Sequence, residues 1–74
     1  MKKKPVQKVQ TIFGANLSTW RRDNGLRLKD VAAGVGVSPS IVCEWEHGNR
    51  FPSARHLDAV AAFVGVPVWK FLKP

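Results

Sequence analysis

The stretch "VAAGVGVSPSIVCEWEHGN", residues 31–49, contains the pattern of small and apolar residues that decides the fold. Ala32, Gly36, Val42 and Trp45 follow one another at intervals of four, six and three residues. Two helical segments joined by only about three residues must cross steeply, and they need a small residue where they touch. Ala32 supplies the small residue, Gly36 supplies the turn, and Val42 and Trp45 face the core. The alternative interpretation of this pattern is a generic packing of helices without a specific function.

Helical periodicity continues on both sides of this stretch. Phe13, Leu17 and Trp20 are spaced i, i+4, i+7, as on one face of an amphipathic helix. Residues 28–35 and 57–64 repeat a similar spacing, and no segment alternates with period two for long enough to form a strand. We therefore predict an all-α fold of five helices, in which a last short helix runs from Pro67 through Leu72.

Turn and cap residues predict where these helices begin and end. Ser38 is a good N-cap and Pro39 a good first residue for the third helix, and Pro52-Ser53 starts the fourth. Glycines are expected to end the first four helices because this residue tolerates a positive φ. The expected end residues are Gly25, Gly36, Gly48 and Gly65.

The charge balance favours a polyanionic partner. The 74 residues carry 12 Lys and Arg against 5 Asp and Glu, a net charge of +7, and the isoelectric point is near 10.4. Such a balance favours nucleic acid over an anionic membrane, although small proteins are sometimes basic without a functional cause. Lys2, Lys3 and Lys4 lie in a segment without apolar periodicity, so residues 1–8 are expected to form a flexible arm before a single domain over residues 9–74.

Membrane, catalytic and metal-binding functions are not expected. No apolar run reaches the roughly 18 residues that span a bilayer, and no signal peptide follows the lysines. With its single cysteine, Cys43, the chain is predicted to be a cytoplasmic protein. Cys43, His47 and His56 fall short of the four ligands of a structural zinc site. No Ser/His/Asp set or carboxylate pair suggests an enzyme, and no cofactor is expected.

The sequence "NGLRLKDVAAGVGVSPSIVCEWEHGNRFPSARHLDAVAAFVGV", residues 24–66, resembles the helix-turn-helix domain of the lambda Cro and repressor (XRE-like) family. The likeness rests on the G-L before helix two, the A…G-V-S turn, the W-E-x-G end of helix three, the R-x-P-S linker and the end of helix four. It covers about residues 13–72. The resemblance implies a five-helix domain that binds double-stranded operator DNA, usually as a symmetric dimer, and regulates transcription. The arm "KKKP", residues 2–5, also resembles the lysine arm of the lambda repressor.

The resemblance places the base contacts on the third helix, at about residues 39–47 in the major groove. The matching positions are Pro39, Ser40 and Glu44, with Ile41 and Cys43 beside them. This chain lacks the Arg, Gln or Thr that usually dominate there. Pro39 and Ile41 offer apolar contact to a thymine methyl group. Ser40 can donate or accept a hydrogen bond, and Glu44 can accept a hydrogen bond from cytosine N4. The other reading of Glu44 is a solvated surface carboxylate.

Phosphate contacts must then supply much of the affinity. For any single residue, a solvated side chain is as reasonable an interpretation as a contact. The lysine arm is a further candidate, through Lys2, Lys3 and Lys4. The remaining candidates lie at the starts of helices and in the loop after the third helix: Arg27, Lys29, Ser38, His47, Asn49, Arg50 and Ser53.

Glu46 is expected to have a structural role. The family resemblance implies that it pairs with an arginine near the end of helix one, which in this chain is Arg21. A partly buried, bidentate pair would lock the third helix to the first. An exposed pair that contributes little to stability is the alternative.

A homodimer on a palindromic site is the expected active form, with Phe63, Val66 and Trp69 as candidates for its surface. Trp69 has a second interpretation, in which it completes the small core. For function, we expect a sequence-specific transcriptional regulator such as a phage repressor or a restriction–modification controller. The alternative is a protein-interaction module or antitoxin that keeps the helix-turn-helix as a scaffold.

Overall fold

The computed structural model describes residues 8–74 and consists there of four α-helices and a terminal 3₁₀ helix. Helix α1 spans Val9–Asp23, α2 Leu28–Val35, α3 Pro39–Glu46 and α4 Ala54–Val64, and the 3₁₀ helix spans Val68–Leu72. The all-α prediction is confirmed, and so is the number of helical segments. The predicted arm with Lys2, Lys3 and Lys4 lies outside the described residues, except for Lys8, which is the N-cap of α1.

Local capping fixes the short connections around α3. Ser38 Oγ accepts a hydrogen bond from the Ile41 backbone N–H at 3.4 Å, and Pro39 occupies the first turn. At the other end, the Asn49 N–H donates to the Glu44 carbonyl at 3.0 Å. This bond closes the turn because Gly48 adopts a φ of 75°, which side chains with a Cβ rarely tolerate. The predicted starting and ending residues of α3 are therefore confirmed.

The core is formed where α1, α2, α3 and α4 meet. Its fully buried large side chains come from all four helices: Phe13, Leu17, Val31, Val42 and Val60. Trp45 and Ala32, each 2% exposed, lie where α3 packs against its neighbours. The predicted inward side chains Phe13, Leu17, Val42 and Trp45 are thus buried, whereas Trp20, on the same predicted face of α1, is only partly buried.

A close approach between α1 and α3 was not predicted. A Cβ added to Gly14 would collide with the carbonyl oxygens of Trp45 and Glu46. Only glycine therefore lets the middle of α1 rest directly on the last turn of α3. The sequence signal was a lone glycine inside a helical pattern, which often marks such a contact.

The last helix differs from the expected geometry. Val68–Leu72 forms a 3₁₀ helix, and Pro67 at its N-cap has an extended backbone. Phe71 is buried and Leu72 packs against the core, whereas Trp69 is 53% exposed. The helix has only five residues, and such short segments are where the tighter 3₁₀ geometry is most common. The interpretation of Trp69 as a core residue is wrong.

Candidate nucleic-acid interface

Helix α3 is held with one face inward and its N-terminal turn outward. Val42 and Trp45 are buried at 0% and 2% exposure, while Pro39 and Ser40 are exposed. Because α3 packs on both α1 and α2, its orientation is fixed by the core. The first turn of α3 is therefore available to a partner.

Two hydroxyl groups lie side by side at this turn. The oxygen atoms of Ser38 and Ser40 are 3.3 Å apart, and Ser38 Oγ also caps α3 by accepting from the Ile41 N–H. A hydroxyl carries one proton and two lone pairs, so each serine retains hydrogen-bonding capacity for a ligand. Ser40 does not cap the helix, so more of its hydrogen-bonding capacity is available to a ligand than that of Ser38.

The remaining predicted base-contact residues are less exposed than Pro39 and Ser40. Ile41 is partly buried and packs against the core, and Cys43 and Glu44 are also partly buried. Ile41 thus presents only part of its side chain to solvent. Glu44 forms neither a side-chain hydrogen bond nor a salt bridge within residues 8–74, so its carboxylate faces water or a partner.

His47 is constrained by a local hydrogen bond at the end of α3. Its Nδ1 lies 2.8 Å from the Cys43 carbonyl oxygen and 3.5 Å from Cys43 Sγ. A carbonyl oxygen only accepts, so Nδ1 carries the proton and Nε2 remains for other partners. Nε2 can therefore donate to a phosphate only when the ring is protonated.

The N-terminus of α2 combines two basic residues with an internal acid. The backbone N–H of Arg27 donates to Asp30 Oδ2 at 2.8 Å, and the Arg27 guanidinium lies 3.6 Å from the same oxygen. These contacts, the backbone hydrogen bond first, hold the pKa of Asp30 below its ordinary value. The Arg27 side chain stays 72% exposed, and Lys29 is exposed beside it.

The loop between α3 and α4 carries the other predicted phosphate contacts. Asn49, Arg50 and Ser53 are all exposed. Ser53 Oγ accepts from the His56 N–H at 3.4 Å and so caps α4. Arg55, exposed in the first turn of α4, was not among the predicted contacts although it follows this loop. Its position in the sequence, two residues after a Ser N-cap, could have identified it as a candidate phosphate contact.

Arg21 and Glu46 join α1 to the end of α3. Arg21 Nε and Nη2 donate to the two Glu46 carboxylate oxygens at 2.7 and 3.0 Å. Arg21 Nη1 also donates to the Leu26 carbonyl at 2.9 Å. The Glu46 side chain is only 7% exposed and that of Arg21 17%, so the pair is partly buried rather than on the surface. The hydrogen bond to Glu46 raises the pKa of Arg21, which keeps the guanidinium charged.

The predicted dimer residues do not form one patch. The Phe63 ring packs edge-on against Trp20, with centroids 5.8 Å apart, and it fills the space next to Gly34. Val66 is partly buried against the core. Of the three, only Trp69 is classed as exposed, because Phe63 and Val66 are partly buried against the core.

A polar anchor at the C-terminal end was also missed by the sequence analysis. Asn16 Nδ2 donates to the carbonyl oxygens of Phe71 and Lys73 at 2.7 and 2.8 Å. These bonds tie the end of the chain to α1. An asparagine inside a helix gives no signal for a partner 55 residues away.

Within residues 8–74, no group of three or more His, Cys, Asp or Glu side chains is placed to hold a metal ion. None of the helices described is long and apolar enough to cross a membrane.

Comparison with known proteins assigns this arrangement to a family. A family model described as a helix-turn-helix domain matches residues 12–68. The chain belongs to that helix-turn-helix family. This membership confirms the sequence-based recognition and agrees with the prediction that the protein is not an enzyme.

Several regulators are similar to this helix-turn-helix domain. The clp gene regulator ClgR of Corynebacterium glutamicum has a crystal structure that matches with a TM-score of 0.84 and 31% identity, over 92% of this chain and 72% of that one. The transcriptional regulator DdrOP3 of Deinococcus deserti is 34% identical over 53 residues, which are 72% of this chain and 41% of DdrOP3. The transcriptional repressor RstR of the cryptic phage CTXphi, from Vibrio cholerae, is 28% identical over 77% of this chain and 51% of RstR. The chain thus spans about half the length, or less, of DdrOP3 and RstR.

Proposed function

We propose that this helix-turn-helix domain binds double-stranded DNA with α3 in the major groove and thereby regulates transcription. The observation that carries the proposal is the placement of α3. Its apolar face is locked into the core by Val42 and Trp45, while Pro39 and Ser40 are exposed at its N-terminal turn. In helix-turn-helix proteins, the N-terminal residues of the second helix contact base edges. The similar proteins DdrOP3, RstR and ClgR are regulators by name.

Base recognition would use few donors. Ser40 supplies a hydroxyl, Pro39 and the exposed part of Ile41 supply apolar contact to thymine methyl groups, and Glu44 accepts from cytosine N4. Cys43 adds a small polarizable side chain beside them. With so few hydrogen bonds to bases, phosphate contacts and DNA shape must carry a larger share of binding than usual.

Phosphate binding would come from the exposed groups that flank α3. Arg27 and Lys29 begin α2, and Asn49 and Arg50 follow α3. Ser38, Ser53 and His47 are weaker candidates, because two of them cap helices and His47 needs a protonated ring to donate. The lysine arm, Lys2–Lys4, would add sequence-independent attraction.

A homodimer on a palindromic operator is part of the proposal. One α3 reads only a few base pairs, and a two-fold arrangement doubles the contacts on a symmetric site. Such a protein would act in the compartment that holds the DNA, which for a bacterial or phage-encoded regulator is the cytoplasm.

Selection from a random DNA library at moderate salt tests the proposal. We expect an enriched palindrome, and we expect Ser40→Ala to weaken binding to it while binding to random DNA is unchanged. Lys29→Ala should weaken all sequences alike and lower the slope of log K against log salt by about 1. Arg22→Ala, an exposed arginine at the end of α1, is the matched control.

A second function is favoured by one observation, the lack of basic side chains on α3 between Pro39 and Glu46. It is a protein-interaction module or antitoxin that keeps the fold as a scaffold. The same selection can also return no enriched sequence, with only weak binding whose affinity falls steeply as the salt concentration rises. That result would refute sequence-specific regulation and favour this alternative.

A further inference from the structure

An open groove lies between the second half of α1 and residues 66–71. It has a volume of about 300 Å³, which is at the lower limit of the volumes found for small-ligand sites. Its apolar lining comes from Trp20 on α1 and from Val66 and Phe71 on the other side. We call it the α1 groove. A space of this size suits a small molecule.

The walls of the α1 groove are held in place by contacts that lie outside it. The Trp20 ring packs edge-on against the Phe63 ring, with centroids 5.8 Å apart, and Phe71 is buried in the core. Asn16 Nδ2 donates to the carbonyl oxygens of Phe71 and Lys73 at 2.7 and 2.8 Å, which ties the last segment to α1. The groove is therefore formed before any ligand arrives, so a ligand loses little affinity to ordering the protein.

Two opposite charges line the α1 groove from its two sides. Asp23 belongs to α1 and Lys70 to the 3₁₀ helix, and both residues line the groove. Both are exposed, and neither forms a salt bridge within residues 8–74. One carboxylate and one ammonium group are thus available to a ligand that lies on the apolar lining between them.

We propose that the α1 groove binds a small zwitterion with an apolar side chain, of the class of the apolar α-amino acids. The ammonium group of the ligand faces Asp23, its carboxylate faces Lys70, and its side chain lies on Trp20 and Phe71. A ligand with a single charge leaves one of the two charged residues without a partner, so charge complementarity selects the zwitterion. The inference goes beyond DNA binding and does not depend on it.

The openness of the α1 groove predicts weak binding. Because water reaches both charged side chains, each ion pair with the ligand strengthens binding only roughly two- to fivefold. The ligand also remains partly solvated, so its apolar side chain contributes less than it would in a closed pocket. We expect a dissociation constant on the order of 1 mM for L-phenylalanine.

An NMR titration of the isotope-labelled 74-residue chain with L-phenylalanine tests the inference. The indole N–H signals of the three tryptophans can be assigned with single Trp→Phe variants. The Trp20 signal should shift and saturate, whereas Trp45, which is 2% exposed, serves as the internal control. N-acetyl-phenylalanine lacks the ammonium group and phenylalaninamide lacks the carboxylate, so each should bind roughly two- to fivefold more weakly than L-phenylalanine.

Paired substitutions assign each charge of the ligand to its partner in the groove. Asp23→Asn should abolish the preference for L-phenylalanine over N-acetyl-phenylalanine, and Lys70→Gln should abolish the preference over phenylalaninamide. Asp58→Asn and Lys73→Gln are the matched controls, since neither residue lines the groove, and both preferences should survive in them. The ammonium groups of Lys70 and Lys73 lie 5.9 and 5.3 Å from the centre of the Trp69 ring, so an effect transmitted through that ring would appear in both lysine variants.

Three results would overturn the inference. The first is a Trp20 signal that does not shift at concentrations of L-phenylalanine well above the expected dissociation constant. The second is equal affinity for the three ligands, or preferences that persist in Asp23→Asn and Lys70→Gln. The third is a Trp20 signal that responds to protein concentration and not to ligand, because a second copy of the chain would then cover the groove. None of them bears on DNA binding, which the library selection tests separately.

Discussion

Removing the Arg21 guanidinium should destabilise the domain by about 2–4 kcal/mol. Arg21→Ala deletes three hydrogen bonds, two to Glu46 and one to the Leu26 carbonyl. It also leaves the Glu46 carboxylate, 7% exposed, without its counter-ion. Breaking one side of a buried ion pair costs about 3–5 kcal/mol, and the 17% exposure of Arg21 lowers that figure because water reaches the site.

Thermal unfolding followed by circular dichroism measures this effect directly. For a domain of 60–100 residues, 1 kcal/mol corresponds to roughly 4–8 °C in melting temperature, so the expected loss is roughly 8–32 °C. Arg22→Ala is the matched control. It removes the neighbouring guanidinium, whose one bond, to the Ser18 carbonyl at 3.3 Å, is exposed, and should cost less than about 0.5 kcal/mol.

A double-mutant cycle distinguishes the orphaned carboxylate from lost packing. Arg21→Ala combined with Glu46→Ala should be less destabilised than the sum of the two single variants, because no unpaired charge remains. If Arg21→Ala melts within 2–3 °C of Arg22→Ala, or if the two single effects simply add, the reasoning about a buried, coupled pair is wrong.

Three further predictions concern packing, pH and recognition. Gly14→Ala should destabilise the domain by about 1–3 kcal/mol in urea unfolding, because the new Cβ would meet the Trp45 and Glu46 carbonyls. In an ordinary helix this substitution stabilises by about 0.5–1 kcal/mol, and such a gain here would contradict the prediction. The lowered pKa of Asp30 predicts a stabilisation that is present above the unfolded pKa of about 4 and lost as the pH falls through the folded pKa. The melting difference between wild type and Asp30→Ala should therefore narrow between pH 6 and pH 3, and a constant difference would refute this. Glu44→Gln should strengthen binding to random DNA severalfold in fluorescence anisotropy, because it removes a charge that repels phosphates. The control Asp58→Asn, on α4, removes a charge elsewhere and should leave this binding unchanged. Equal effects of the two substitutions would count against contact between Glu44 and DNA.

The helices and their boundaries were predictable because local rules determine them. Ser38 and Ser53 cap α3 and α4, and Gly36 and Gly65 end α2 and α4 with positive φ. These effects need only neighbouring residues. The apolar spacing on α1 likewise identified Phe13 and Leu17 as core residues, since a helix buries whichever face carries its apolar side chains.

Long-range contacts and exposure were less predictable. Gly14 against the last turn of α3 and Asn16 against the chain end depend on distant partners that no local pattern reveals. Ile41 proved partly buried and Phe63 packed on Trp20, because the space left by neighbouring helices decides how much of an apolar side chain remains exposed.

The sequence by itself determined the helical segments, the turn between α2 and α3, and the family, since these depend on spacing along the chain. Only the tertiary structure decided which groups of α3 remain open to a partner. Burial of Val42 and Trp45 turns Pro39 and Ser40 outward, and Arg21 takes Glu46 away from the surface. The tertiary structure also decided that Trp69 stays exposed while Phe71 is buried, because the 3₁₀ geometry of the last segment turns the two side chains to different sides.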